Sequence, residues 1–154
     1  MTTAGVDPAT NDPFDLRRFV EAQRGGVHEQ ALAELRAGRK RSHWMWFVFP
    51  QLAGLGLSPT ALHYGIRGLG EAQAYLRHPV LGSRLRECAR ALLVLEGVSA
   101  EAIFGYPDVL KLKSSMTLFA AVPDAGPEFA AVLARYYGGE RDERTLRLLG
   151  PGAS

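Results

Sequence analysis

Two stretches of this chain hold most of its chemically able side chains. "SHWMWFVFPQ" (42–51) carries His43, Trp44, Trp46 and Gln51, and "PDVLKLKSSMTLFAAVP" (107–123) carries Asp108, Lys111, Ser114 and Ser115. An indole can stack on a planar ligand, and its N–H needs an acceptor when buried. A lysine ammonium neutralises an anion. His43, Asp108 and Lys111 are the candidate catalytic groups, because each can give or take a proton. Lys40, Trp44, Trp46, Gln51, Tyr64, Ser114 and Ser115 are the candidate ligand-binding residues. If the two stretches converge, they make an apolar pocket with a few polar groups, the usual form of a small-molecule site. In that pocket Trp44 or Trp46 stacks on a phosphorylated or nucleotide-like ligand. Lys111 meets its negative charge, and His43 or Asp108 serves as acid or base for a hydrolase-type reaction.

The spacing of the second stretch is informative. On a helix, Asp108 and Lys111 are three apart and share a face, and Ser115 lies four beyond Lys111. Val109, Leu112, Met116, Phe119 and Ala120 fall on one broad apolar face. Asp108, Lys111, Ser114 and Ser115 fall on the other side, but Leu118 lies among them. Little of this helix can be simply solvated, so part of its polar side is expected to face a cleft or an interface. The plainer alternative is a surface ion pair with two serines bonding back to helix carbonyls. In the first stretch, Met45, Phe47, Val48 and Phe49 read as core.

A basic run, Arg36, Arg39, Lys40 and Arg41, stands just upstream of the tryptophans. It reads as cations at a helix C-terminus, or as a phosphate-contacting patch beside stacking aromatics. The second reading gives the alternative function, a non-catalytic module that binds protein or nucleic acid. A net charge of only +2 speaks against a nucleic-acid partner. The sequence gives no oligomeric state.

Other chemistries lack their residues. The four histidines, His28, His43, His63 and His78, are never three to five apart, so no helical metal pair exists and no metal is expected. His28 reads as a helix-surface residue and His78, before Pro79, as a turn or cap. The lone cysteine, Cys88, excludes an internal disulfide and a cysteine-rich zinc site, and its neighbours Leu85, Ala89 and Leu92 mark it as a buried small hydrophobe. There is no nucleophile elbow, Walker loop or dinucleotide fingerprint, and no cofactor is predicted.

The elements that must position these groups are helices. A chain of 154 residues, 47% of them apolar, makes one ordinary domain. Asp15 is placed to cap a first helix carrying Leu16, Phe19 and Val20, which "RGG" (24–26) ends. A second helix runs from Val27 to Ala37, with Gly38 behind it. The aromatic stretch makes a short helix, and Ser58-Pro59 opens another. Further helices are expected at about 71–77, 79–95, 99–104, 108–122 and 127–137, with Asp142 capping a last one. The fold class is therefore all-α, a compact single-domain multihelical bundle of seven or eight short helices over residues 13–150. Flexible tails are expected at 1–12 and 151–154. With no basic-apolar leader and no apolar run near the roughly 20 residues of a membrane span, a cytoplasmic protein with no membrane partner is expected.

Four segments, "DPFDLRRFVEAQ", "ALAELRAGRKRSHWMWFVFPQLAGLGLS", "YGIRGLGEAQAYLRHPVLGSRL" and "IFGYPDVLKLKSSMTLFAAV", resemble the bacterial domain of unknown function 1810 family. The resemblance spans about residues 12 to 149 in order. It implies a small all-α domain with no established activity. Members sometimes carry the label calpastatin, but calpastatins are disordered, and this composition is globular. The family pattern often has Tyr where this chain has His28.

Overall fold

The computed structural model describes residues 12–150. The expected tails lie outside this range except for Asp12, which belongs to the folded part. Its carboxylate accepts the N–H groups of Leu16 (2.7 Å) and Arg17 (2.9 Å), ahead of α1 (Arg17–Ala22). Asp15, the expected cap, instead turns the chain with φ +53°.

The all-α expectation holds, with ten helices among the described residues rather than seven or eight. After α1 come α2 (Val27–Arg36), α3 (Met45–Val48), α4 (Pro59–Tyr64), α5 (Leu69–Arg77) and α6 (Leu81–Leu93). Then follow α7 (Ala100–Phe104), α8 (Asp108–Ala120), α9 (Glu128–Tyr137) and α10 (Glu143–Leu149). Each of the ten starts is expected separately, so the total of seven or eight is an undercount; α3, α4 and α7 are short because Pro50, Gly65 and Gly105 stop them early. Expected caps recur at several starts. Ser58 accepts from the Ala61 N–H, Ser99 from Ala102 and Asp142 from Thr145. His78 caps α6 by accepting the N–H groups of Val80 and Leu81 on Nδ1. Partial burial lowers its pKa, which keeps that nitrogen neutral and able to accept.

The core is built around α8. Leu112, Met116, Leu118 and Phe119 are all fully buried, and α8 packs chiefly on α9, with α7, α10 and α5 around it. Phe119 stacks at a tilt between Tyr75 and Phe129. Each such ring contributes about 2–3 kcal/mol by leaving water. α6 bridges α2 and α9. On this seam His28 is buried, not on the surface as its position suggests, with Nε2 3.0 Å from Glu87 Oε1. Cys88 is buried as expected, and burial pushes its thiol pKa up to about 12.

One irregular segment interrupts the helices. Residues 49–58 leave α3 and run to α4 without helix, pinned by a single parallel bridge, Leu52 to Ile66. The Ala53 N–H donates to the Ile66 carbonyl (2.7 Å), and the Ile66 N–H donates to that of Gln51 (2.9 Å). The two chain segments approach so closely that a Cβ at Gly65 would lie 2.9 Å from the Cα of Ala53. The other side of this bridge is held by a buried ion pair, Arg18 Nη2 to Glu71 Oε2 at 2.7 Å. Arg18 also donates to the carbonyls of His63 (2.8 Å) and Gly65 (3.0 Å). No helix among the described residues is long and apolar enough to cross a membrane.

Candidate functional site

The polar side of α8 does face a cleft. The cleft, about 430 Å³, lies between the start of α8, the irregular segment 51–58, the first turn of α4 and the start of α10. Trp46 and Gln51 line it from the first motif, and Lys111 and Ser114 from the second. The two motifs singled out by residue type therefore meet across one space. The contact itself is specific: Lys111 Nζ sits 4.7 Å from the centre of the Trp46 ring, a cation–π arrangement. Pro107, which follows a cis peptide bond to Tyr106, and Leu110 complete the α8 wall.

Behind Lys111 stands a second layer of charge. Lys111 Nζ is 3.6 Å from Asp108 Oδ1, and Lys40 Nζ is 2.9 Å from Asp108 Oδ2. Asp108 thus holds two ammonium groups, one on each oxygen. Lys40 is sunk to 8% side-chain exposure, against 24% for Lys111. Its N–H donates to the Ile103 carbonyl (2.7 Å), and its ammonium lies 5.1 Å from the Trp44 ring centre. The two lysines carry one more positive charge than Asp108 cancels, and the more exposed of them faces the cleft.

Four of the ten sequence candidates line this cleft; Lys40 and Asp108 stand behind it, Tyr64 backs it, and Trp44, Ser115 and His43 lie away from it. Trp44 is buried at 2% exposure, and its indole Nε1–H donates to Glu34 Oε1 at 2.9 Å. It is a core residue, because Glu34 supplies the acceptor that a buried indole needs. Glu34 also accepts the N–H groups of Arg41 (2.7 Å) and Ser42 (3.0 Å) and the Ser42 hydroxyl. Burial alone would raise the Glu34 pKa, but the donors from Ser42, Arg41 and Trp44 outweigh it and lower the pKa to about 2. This carboxylate shapes the loop that delivers Lys40. Ser115 is fully buried, and its Oγ has no hydrogen-bond partner among the described residues. The helical turn from one residue to the next places it on the core side of Ser114. His43 is exposed on the surface and is not among the residues that line the cleft.

Tyr64 occupies an intermediate place. It lines a small hollow behind Trp46 and Gln51, next to Gly65, and its ring packs on Phe19 and Phe47. It backs the cleft rather than facing it.

The cleft also contains groups that residue type alone does not single out. Ser58 lies on its rim, and Asp142 and Arg144 close its far side. Ser58 and Asp142 are legible in the sequence only as helix caps, and both do cap. Arg144 donates a long bond of 3.4 Å to the Leu55 carbonyl, tying α10 to the irregular segment. Leu57 and Leu110 on the rim are exposed apolar residues, Leu57 at 81%. No group of three or more His, Cys, Asp or Glu suited to a metal ion occurs among the described residues.

The comparisons with known proteins agree on the fold. The model of a family described as "Protein of unknown function (DUF1810)" matches residues 13–149. The crystal structure of the conserved hypothetical protein Rv1873 from Mycobacterium tuberculosis is similar, with 62% sequence identity and a TM-score of 0.87. That match covers 90% of this chain and 98% of the other. No curated protein matches the chain.

Proposed function

Because this chain belongs to the DUF1810 family, whose description gives no activity, its function has to be argued from the cleft, and we propose that the cleft binds an anionic small molecule, phosphorylated or nucleotide-like. The observation that carries the proposal is the Lys111 ammonium poised over Trp46 inside the cleft. Asp108 is already matched by Lys40, so Lys111 retains positive charge for an incoming anion. Ser58, whose oxygen accepts the Ala61 N–H, keeps a hydroxyl proton to donate on the same walls, and Arg144 offers a second cation. The apolar share of the walls, Trp46, Leu55, Leu57, Ala61 and Leu110, suits the uncharged body of such a ligand.

Binding is favoured over hydrolysis. A hydrolase needs a free acid or base at the reacting atoms. Both oxygens of Asp108 lie beside lysines, Asp142 Oδ2 caps α10, and His43 stands outside. A nucleic-acid module loses its main support as well, because Trp44 is buried and cannot stack on a base. A cytoplasmic location goes with the proposal, since phosphorylated metabolites are kept there.

The test is a thermal-shift screen with Trp fluorescence. ADP and ribose phosphate are expected to raise the melting temperature, and adenosine and ribose to leave it unchanged. Emission should change through Trp46, so a Trp46→Phe variant should lose the signal. A flat melting temperature with every phosphorylated probe would overturn the reading.

A further inference from the structure

The cleft does not end at Arg144. A second hollow, about 400 Å³, opens on the other side of the same two residues, Asp142 and Arg144, and is also lined by Arg141, Arg147 and Lys113 and by the carboxylates of Glu140 and Glu143. Arg144 and Arg147 are three apart on α10 and share a side of it, and Arg141 stands just ahead of the Asp142 cap on the wall of the same hollow. None of the three forms an ion pair with a described residue. Two of the three acidic residues that line the hollow are otherwise engaged. Glu140 is paired with Lys113, and Asp142 spends Oδ2 on the N–H and hydroxyl of Thr145. Glu143 remains, exposed in the first turn.

We propose that the ligand carries two anionic groups, one held at Lys111 in the first cleft and the other by Arg141 and Arg147 in the adjoining one, with Arg144 between them. The chemical class is a small metabolite with two phosphate groups, or a phosphate and a carboxylate, joined by a compact uncharged body. This rests on the reading of the first cleft as an anion site. Arginine is the side chain best matched to such groups, because its planar fork gives two parallel bonds to one oxyanion. One cation alone would serve a monophosphate; three guanidiniums without a carboxylate partner on the adjoining wall have no such use.

The experiment is calorimetric titration of the full chain with fructose monophosphate and with fructose bisphosphate at one salt concentration. The bisphosphate is expected to bind at least about tenfold more tightly, the gain of one charge-assisted contact. Arg147→Gln, a change at an exposed side chain, should reduce the bisphosphate to the affinity of the monophosphate and leave the monophosphate unchanged. Lys111→Gln should weaken both. Arg39→Gln, a change at a cation outside both hollows, should alter neither. Equal affinity for the two probes, or an equal loss of both in Arg147→Gln, would overturn the two-anion proposal while leaving the first cleft as an anion site. Failure of both probes to bind would overturn the anion site itself, and this inference with it.

Discussion

Lys40 Nζ lies 2.9 Å from Asp108 Oδ2, joining the loop behind α2 to the first turn of α8 through a pair that is mostly withdrawn from water. The pair fixes where α8 begins, and therefore where Lys111 stands relative to Trp46. A charge left without its partner in such a place is costly, whereas removing both partners is far less so. Asp108→Ala is accordingly expected to destabilise the fold by about 3 kcal/mol, because it strands the Lys40 ammonium. The double variant Lys40→Met, Asp108→Leu should be less destabilised than Asp108→Ala alone. Urea unfolding of the single and double variants measures both. Equal losses in the two would mean that the pair contributes through packing and not through charge.

Lys111 should behave differently. It is the more exposed lysine, and its partners are one oxygen at 3.6 Å and the face of Trp46. Such contacts are worth about 0.5–1 kcal/mol each. Lys111→Met keeps the stem and removes the charge. Its unfolding free energy should fall by no more than about 2 kcal/mol, while affinity for a phosphorylated probe falls at least about tenfold. The opposite pattern, a large loss of stability with unchanged binding, would assign Lys111 to a structural network.

Much of this arrangement is legible in the sequence, and the parts that are not share a cause. Local chemistry reads well: the glycine behind α2, the serines before α4 and α7, and the aspartate before α10 all act where their types predict. Helical spacing also brings Asp108 to Lys111 and turns Lys111 and Ser114 outward together. What spacing does not carry is the partner across the fold. Trp44 and Trp46 are two residues apart and equally aromatic, yet one is core and the other lines the cleft. The difference is Glu34, a residue of another helix that satisfies the Trp44 indole. Lys40 reads in the sequence as a solvated cation at a helix end or as a ligand contact, but Asp108 and the Trp44 ring take it out of water. Arg144 enters the cleft only because α10 folds back over residues 51–58. Each of these facts depends on a contact between residues distant in sequence.

Ser114 and Ser115 separate in the same way, and this yields a prediction. Ser114 donates its hydroxyl to the Leu110 carbonyl (3.1 Å) at the cleft wall, whereas Ser115 Oγ is buried without a partner among the described residues. A buried hydroxyl that makes no hydrogen bond costs free energy in the folded state. Ser115→Ala is therefore expected to be neutral or to stabilise by up to about 1 kcal/mol, with no change in ligand affinity. Chemical unfolding and the same titration check it. A loss of affinity in Ser115→Ala would return Ser115 to the binding residues.

Glu34 gives a prediction in pH. Its folded-state pKa is about 2, against an ordinary value of 4.5. A carboxylate whose pKa is depressed on folding stabilises the native state above its unfolded pKa, and that contribution is lost as the pH falls through the folded one. The window is thus from about 4.5 down to about 2, and above it the contribution is complete. Glu34→Gln keeps the size of the side chain but loses the charge-assisted bonds to the Ser42 and Arg41 N–H groups, and the amide cannot satisfy every donor at once. At neutral pH it should cost about 1–3 kcal/mol, the penalty of leaving buried donors such as the Trp44 indole poorly matched. Between pH 4.5 and 2 the melting temperatures of the native protein and the variant should converge, because protonation of Glu34 removes the same charge the substitution removes. Melting curves by circular dichroism across this range check it. A constant difference between the two proteins would show that the charge on Glu34 is not what holds the loop. Because the same loop carries Lys40 to Asp108, ligand affinity measured near neutral pH should also fall in Glu34→Gln, although Glu34 is not among the residues that line the cleft.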